Sequence, residues 1–239
     1  MECFLRAGPT DFAGSTLVVP AVSIGNVGQV CTEVILGTFG FPLVGYLNDE
    51  NVLPCVGRDP FGDDESKLAL SLEIYGAPSR QLYFIQQRAP VVPGRQREFA
   101  NRLIAWAKEQ GFGRVVVVGS LDAFRRKDAQ INDRQLRFVA TSEELAPWLS
   151  SAGLKELEDS VLFDDEEKDR RVSPWPLITR CRTEGLAACS VLAFVSEGDN
   201  LQEGVEMASL LNTLLDLGLD KSGVGKWRIP PTLMSAVRA

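Results

Sequence analysis

Two short stretches carry residue types at a spacing from which chemistry could be built. Gly25-Asn26-Val27-Gly28, with Gln29 behind it, follows the β-branched run of residues 16–23 and precedes an apolar helical pattern. Strand, glycine turn and helix N-terminus are the parts of a phosphate cradle, because the first amides of a helix lack partners and suit anions. The spacing is not G-x-G-x-x-G, and the G-K-S/T of the phosphate-binding loop is missing, so a tight turn explains these residues better than a ligand. Ser196-Glu197-Gly198-Asp199-Asn200 follows the apolar run 188–195 and offers two carboxylates at a strand end, where open α/β sheets often keep ligands. A metal could sit there. A glycine turn with Asn200 as helix N-cap and Glu203 at N3 accounts for every residue without one.

Other candidates are weaker. Asp164, Asp165, Glu166 and Glu167 are neighbours on a charged stretch and read as solvated rather than as an acid–base set. Arg125, Arg126 and Lys127 could attract phosphate, but Asp122, Asp128 and Asp133 are interleaved with them and weaken the field. The sequence contains no histidine, which removes the usual general base near neutral pH and the commonest transition-metal ligand. Carboxylate, lysine and magnesium chemistry survive that loss. The expectation is a chain with no catalytic residues, no cofactor and no metal.

Composition narrows the partners. The 239 residues are 45% hydrophobic and 24% charged, enough for one sizeable core and typical of globular domains. A net charge of -7 speaks against nucleic acid and favours basic partners. The five cysteines form no C-x-x-C pair, so reduced, structural thiols in a reducing compartment are expected. No apolar stretch reaches the ~18 residues of a spanning helix and the first ten residues do not read as a signal peptide, so no membrane role is expected.

The elements that must position the two motifs are legible in outline. Residues 16–23 read as a buried strand, with Pro20 at its end or at a bulge, and 27–39 as a helix through Val27, Val30, Cys31, Val34, Ile35 and Thr38. Residues 43–47 then fit a second strand parallel to the first across a right-handed crossover, which makes the opening a βαβ unit. Residues 48–66 read as an exposed loop. Alternation over 68–74 and 82–86 predicts a hairpin, 96–110 a helix and 114–120 a central strand. From 121 to 137 the chain reads as an exposed excursion, followed by a short strand at 138–140 and a short helix at 142–150 capped by Ser142. Residues 154–176 read as a loop or insertion. A helix at 177–184, a strand at 188–195 and a helix from Leu201 through Leu215 complete the pattern, with Trp227 anchoring the tail. The fold class expected is α/β, a mixed and mainly parallel sheet with helices on both faces. A single domain over 1–239, with a variable excursion at 121–176, is expected.

Read together, V-P-A-V-S-I-G-N-V-G-Q at 19–29 and F-V-S-E-G-D-N at 194–200 resemble the proteasome assembly chaperone 2 family. V-G-Y at 44–46, V-L-P-C-V-G at 52–57, E-I-Y-G-A-P-S-R at 73–80 and K-W-R-I-P at 226–230 extend the similarity over nearly the whole chain. The resemblance implies a non-catalytic, cytoplasmic and nuclear subunit that forms a heterodimer with proteasome assembly chaperone 1. It further implies that the pair binds proteasome α subunits, promotes α-ring assembly and blocks unproductive ring dimers. Gly25, Asn26, Gly28, Gln29, Ser196, Glu197, Gly198, Asp199, Asn200 and Trp227 are then structural or interface residues, with no nucleic acid, membrane or small-molecule substrate. Relatives of the pair carry a hydrophobic-tyrosine-any tail that docks between α subunits. Here the chain ends Val237-Arg238-Ala239, with arginine in place of tyrosine, so that docking is not carried over. The competing expectation is a nucleoside- or phosphate-binding enzyme on a purine-phosphorylase-like sheet, and a third is an adaptor without a proteasome link.

Overall fold

The computed structural model describes residues 1–6, 10–62, 67–131, 133–158, 173–219 and 227–235. Its frame is a nine-stranded sheet in the order β1-β3-β6-β7-β2-β8-β11-β9-β10. The centre is parallel: β7 (Leu82–Gln87), β2 (Thr16–Pro20), β8 (Arg114–Asp122) and β11 (Ala188–Val195) run the same way. The flanks are largely antiparallel. On one side lie β6 (Leu72–Ala77), β3 (Leu43–Asn48) and β1 (Glu2–Leu5). On the other, β9 (Leu136–Ala140) runs against β11 and carries the short parallel strand β10 (Lys155–Glu156). The expected mixed sheet is present, and its parallel character is concentrated in the middle.

The central strands are apolar on both faces because helices cover both. Leu17, Val19, Val115 and Val117 point into a core beneath α2 (Gln96–Glu109) and α5 (Trp175–Thr183), against Phe99, Leu103, Trp106 and Ile178. Val18, Val116, Val118 and Val191 point the other way, toward α1 (Val27–Phe39), α4 (Ala146–Ser151) and α6 (Leu201–Leu214). Alternate residues of one β-branched run thus feed two cores. Among the described residues the remaining α-helices, α3 (Asp128–Ile131) and α7 (Pro231–Ser235), are single turns.

Several expectations are corrected. β3 runs parallel to β2 as expected, and the β6–β7 hairpin is inserted between them. The alternating run at 68–74 breaks at Ser71. Its first half, β5 (Leu68–Leu70), pairs instead with β4 (Val56–Arg58) in a separate two-stranded ribbon. The stretch 48–62 is therefore not all loop, and Asp49, Asn51 and Val52 in it are buried.

The excursion at 121–137 is also less exposed than its charge suggests. Arg137 is 1% exposed within β9, where its guanidinium donates to the Arg134 and Leu136 carbonyls and to Asp133. Ser142 makes no side-chain cap bond. Leu154 and Leu157 are buried around β10, and α5 starts at Trp175, two residues earlier than expected, because Pro176 fits a first helical turn that needs no amide donor. The acidic runs at 63–65 and 164–167 and the tail at 237–239 lie outside the described residues.

Candidate functional site

The sheet changes direction of winding between β7 and β2. β7 leads to α2 on one face, whereas β2 leads to α1 on the other, which opens a crevice at their carboxyl ends. A cleft of about 650 Å³ occupies that crevice. Both sequence motifs meet there: Gly25, Asn26 and Gln29 on one wall, Gly198, Asp199 and Asn200 on another.

The glycines are there for close approach. Gly25 has φ +64°, and a Cβ on it would collide with the Asn200 side-chain amide. A Cβ on Gly28 would run into the Val118 carbonyl, so glycine lets the first turn of α1 lie directly against the β8 backbone. Asn26 also takes a left-handed conformation, φ 51°, and does not cap α1 with its side chain. Ser23 locks the turn to β8, accepting from the Ser120 amide and hydroxyl at 2.9 Å each.

Asn200 behaves differently from expectation. Its side chain does not cap α6; its amide donates at 3.0 Å to the carbonyls of Ser196 and Gly198 and so closes the turn on itself. Asp199 takes the capping part, accepting from the Leu201 amide at 3.0 Å. Ser196 and Glu197 are exposed and do not line the cleft. Trp227 lies at the far end of α1, edge-on to Phe39, donating to Ser209 Oγ at 3.0 Å. It belongs to a strap over α1 and α6 and takes no part in the cleft.

The floor holds charges the sequence reading did not single out. Glu33 of α1 is buried, and its Oε2 accepts from Gln86 Nε2 at 2.5 Å and Arg88 Nη1 at 2.6 Å. Arg88 Nε donates to Glu73 Oε2 at 2.9 Å, and Tyr75 Oη to the same oxygen at 3.0 Å. Thr32 Oγ1 donates to Gln86, and Thr232 of α7 reaches back to Glu33 Oε1 at 3.1 Å. Burial alone would lower the Arg88 pKa, but the carboxylates of Glu33 and Glu73 outweigh it and raise it. Burial, helped by the Glu73 charge, pushes the Tyr75 phenol up as well. One signal could have found the network: Glu33 is the lone charge in a largely apolar helix, a pattern that calls for a buried partner.

The cleft is framed by charges and hydrogen-bonding groups that are largely engaged with one another. Arg88 is held by two carboxylates and the Asp199 side chain caps α6. Among the described residues no group of three or more Cys, Asp or Glu is placed to hold a metal. Cys31, Cys181 and Cys189 are buried free thiols, and Cys55 is exposed. Burial raises the Cys181 and Cys189 thiols to about 12, far from a nucleophile's range.

A second feature lies on the surface. In the β4–β5 ribbon, Val56 is 65% and Leu68 57% exposed, with Leu70 and Leu53 exposed beside them. Ala69 on the opposite side is buried.

Comparison with known proteins gives a consistent result. The chain is 34% identical to proteasome assembly chaperone 2 of Nematostella vectensis over 94% of its length and 98% of that protein. The Homo sapiens protein of that name is 31% identical, covering 92% of this chain and 90% of the relative. Among solved structures, Pyrococcus furiosus PbaA, described as an archaeal homolog of proteasome-assembly chaperone, superposes with a TM-score of 0.70 at 16% identity, covering 99% of this chain and 91% of that one. PbaB of the same organism, described as an archaeal proteasome activator, gives 0.69 at 14% identity over 99% and 97%; at these identities the match shows a shared fold. The model of the PAC2 family matches residues 17–221, a span that includes both motifs and, but for Thr16, the whole parallel centre, and the chain belongs to that family.

Proposed function

We propose that this chain is a non-catalytic chaperone subunit that pairs with proteasome assembly chaperone 1, and that the pair promotes 20S proteasome α-ring assembly and prevents off-pathway ring dimers. The observation that carries the reading is full-length similarity to proteins named proteasome assembly chaperone 2, with nearly the whole of each chain aligned. The absence of histidine and the use of Gly25 and Gly28 for close packing support a scaffold whose work is differential protein contact. The apolar face of the β4–β5 ribbon offers a related chain a surface to cover, since a two-stranded ribbon alone is marginal in water.

Native mass spectrometry of the purified chain with its partner and α subunits tests this. A one-to-one heterodimer that binds α subunits and raises the yield of single α rings is expected. A chain that stays monomeric and leaves ring assembly unchanged would sink the proposal.

The cleft at the carboxyl ends of the parallel strands favours a second reading, a nucleoside or phosphate binder. Its walls carry Glu33 and Asp199 and a cation already held by two carboxylates, which is a poor match to an anion. Calorimetry with nucleosides, phosphate and magnesium decides; tight binding abolished by Gly28→Val and Asp199→Ala would lift this reading above the first.

A further inference from the structure

The cleft at the β7/β2 crevice has a charge and donor balance that specifies an occupant. Its acids are Glu33 and Asp199. Among the described residues its one cation, Arg88, is bonded to Glu33 and Glu73, so the buried set of two carboxylates and one guanidinium is short of positive charge before Asp199 is added. The guanidinium carbon of Arg88 lies 5.5 Å from the Phe61 ring centroid, and its Nη2 has no hydrogen-bond acceptor. In the same wall Gln29 Oε1 is buried with no donor. Gln29 Oε1 and the net negative charge therefore await a cationic donor, while Arg88 Nη2 awaits an acceptor.

The remaining wall is apolar. Val22, Pro90 and Leu201 line it, and Leu233 of the C-terminal strap closes one side. A long cationic side chain matches both halves, with its aliphatic stem on the apolar wall and its charged head on the acids. Arginine suits them better than lysine, because a planar fork of five donors can serve several oxygens at once. The cleft volume of about 650 Å³ exceeds one side chain and admits flanking backbone.

We infer that this cleft receives an arginine side chain, with its flanking backbone, from a partner polypeptide. The inference rests on the reading that the chain works by binding other polypeptides, and names what that contact requires at this site. It also gives the two glycine motifs a common purpose: they bring the α1 turn and the Asp199 turn close enough to form facing walls.

The test uses the full chain, isotopically labelled, titrated with acetyl-Gly-Arg-Gly-amide and with its citrulline counterpart, which keeps shape and loses charge. Amide resonances of Gly25, Gly28 and Gly198 report. A saturable shift with the arginine peptide is expected, with binding about tenfold weaker for citrulline. Asp199→Asn, which keeps the capping oxygen, should weaken arginine binding about threefold. No saturable shift below about 10 mM peptide, equal binding of the two peptides, or unchanged affinity in Asp199→Asn overturns the inference. If α-subunit binding persists in that case, the assembly function stands and only the cleft's occupant is wrong.

Discussion

Gly25 and Asn200 touch: the space a β-carbon would take on Gly25 is filled by the Asn200 amide, which is bonded to Ser196 and Gly198. Two motifs far apart in the chain are thereby joined at one point, and the cleft exists because of that joint. The contact explains why Gly25 must be glycine twice over, once for φ +64° and once for space.

Gly25→Ala should therefore cost about 2–4 kcal/mol, from left-handed strain plus overlap. Gly14, at φ +71° with nothing within 4 Å, supplies the strain without the overlap, and Gly14→Ala should cost only about 1–2 kcal/mol. Urea midpoints at constant m-value measure both. Asn200→Ala removes the colliding atoms, so the double variant Gly25→Ala/Asn200→Ala should fall short of additivity. Equal costs at Gly25 and Gly14 would show that the contact does not matter.

Arg88 is the hinge of the buried network. Arg88→Leu strands Glu33 and Glu73 without their cation and should destabilise by about 3–5 kcal/mol. Glu33→Gln keeps an acceptor for Thr232 and Arg88 and should cost about 1–2 kcal/mol. The ranking, read by denaturant unfolding, distinguishes a stranded charge from a weakened bond; equal losses would contradict it.

Stability should also fall in alkali. Burial raises Cys181 and Cys189 from 9.0 to about 12 and raises Cys31 further, while burial and Glu73 raise Tyr75 above 10.0. Above pH 9 the unfolded chain then sheds protons that the folded chain retains, so it binds fewer, and unfolding becomes easier as pH rises. Each such group contributes a slope of about 1.4 kcal/mol per pH unit between its unfolded and folded values. Cys181→Ala should reduce the slope between pH 9 and 12, and Tyr75→Phe only above pH 10. Urea unfolding from pH 7 to 11 reads this, and identical slopes in variant and parent would refute it.

What the sequence disclosed depends on the range of the interaction. Strand β11 begins and ends where its apolar run does, and α1 likewise spans its periodic pattern, because both signals are local. The place of β3 was not legible: direction follows from the crossover, but the insertion of β6–β7 between β2 and β3 is decided by long-range pairing. Arg137 misled because charge in a mixed segment reads as solvation, whereas two backbone carbonyls and Asp133 receive it inside β9. At the cleft, the glycine and Asp199 turns announced themselves by composition. Glu33 and Arg88 did not, since each becomes meaningful only beside the other.

The last prediction concerns the ribbon. In the β4–β5 register Val56 sits opposite Leu70 and Arg58 opposite Leu68, so the exposed apolar side chains share one face while Ala69 packs inward. Val56→Asp and Leu68→Asp replace side chains that contribute little to the monomer's core and should change its stability by no more than about 0.5 kcal/mol. If the related partner chain covers this face, each should weaken pairing by about 30-fold or more, the scale of an interface hot spot. Phe124→Asp is the control, because Phe124 is 93% exposed yet lies outside the ribbon. Sedimentation or calorimetry of the pair measures the effect: loss of pairing in Phe124→Asp, with the ribbon variants unaffected, would move the interface to the carboxyl end of β8, at the centre of the sheet.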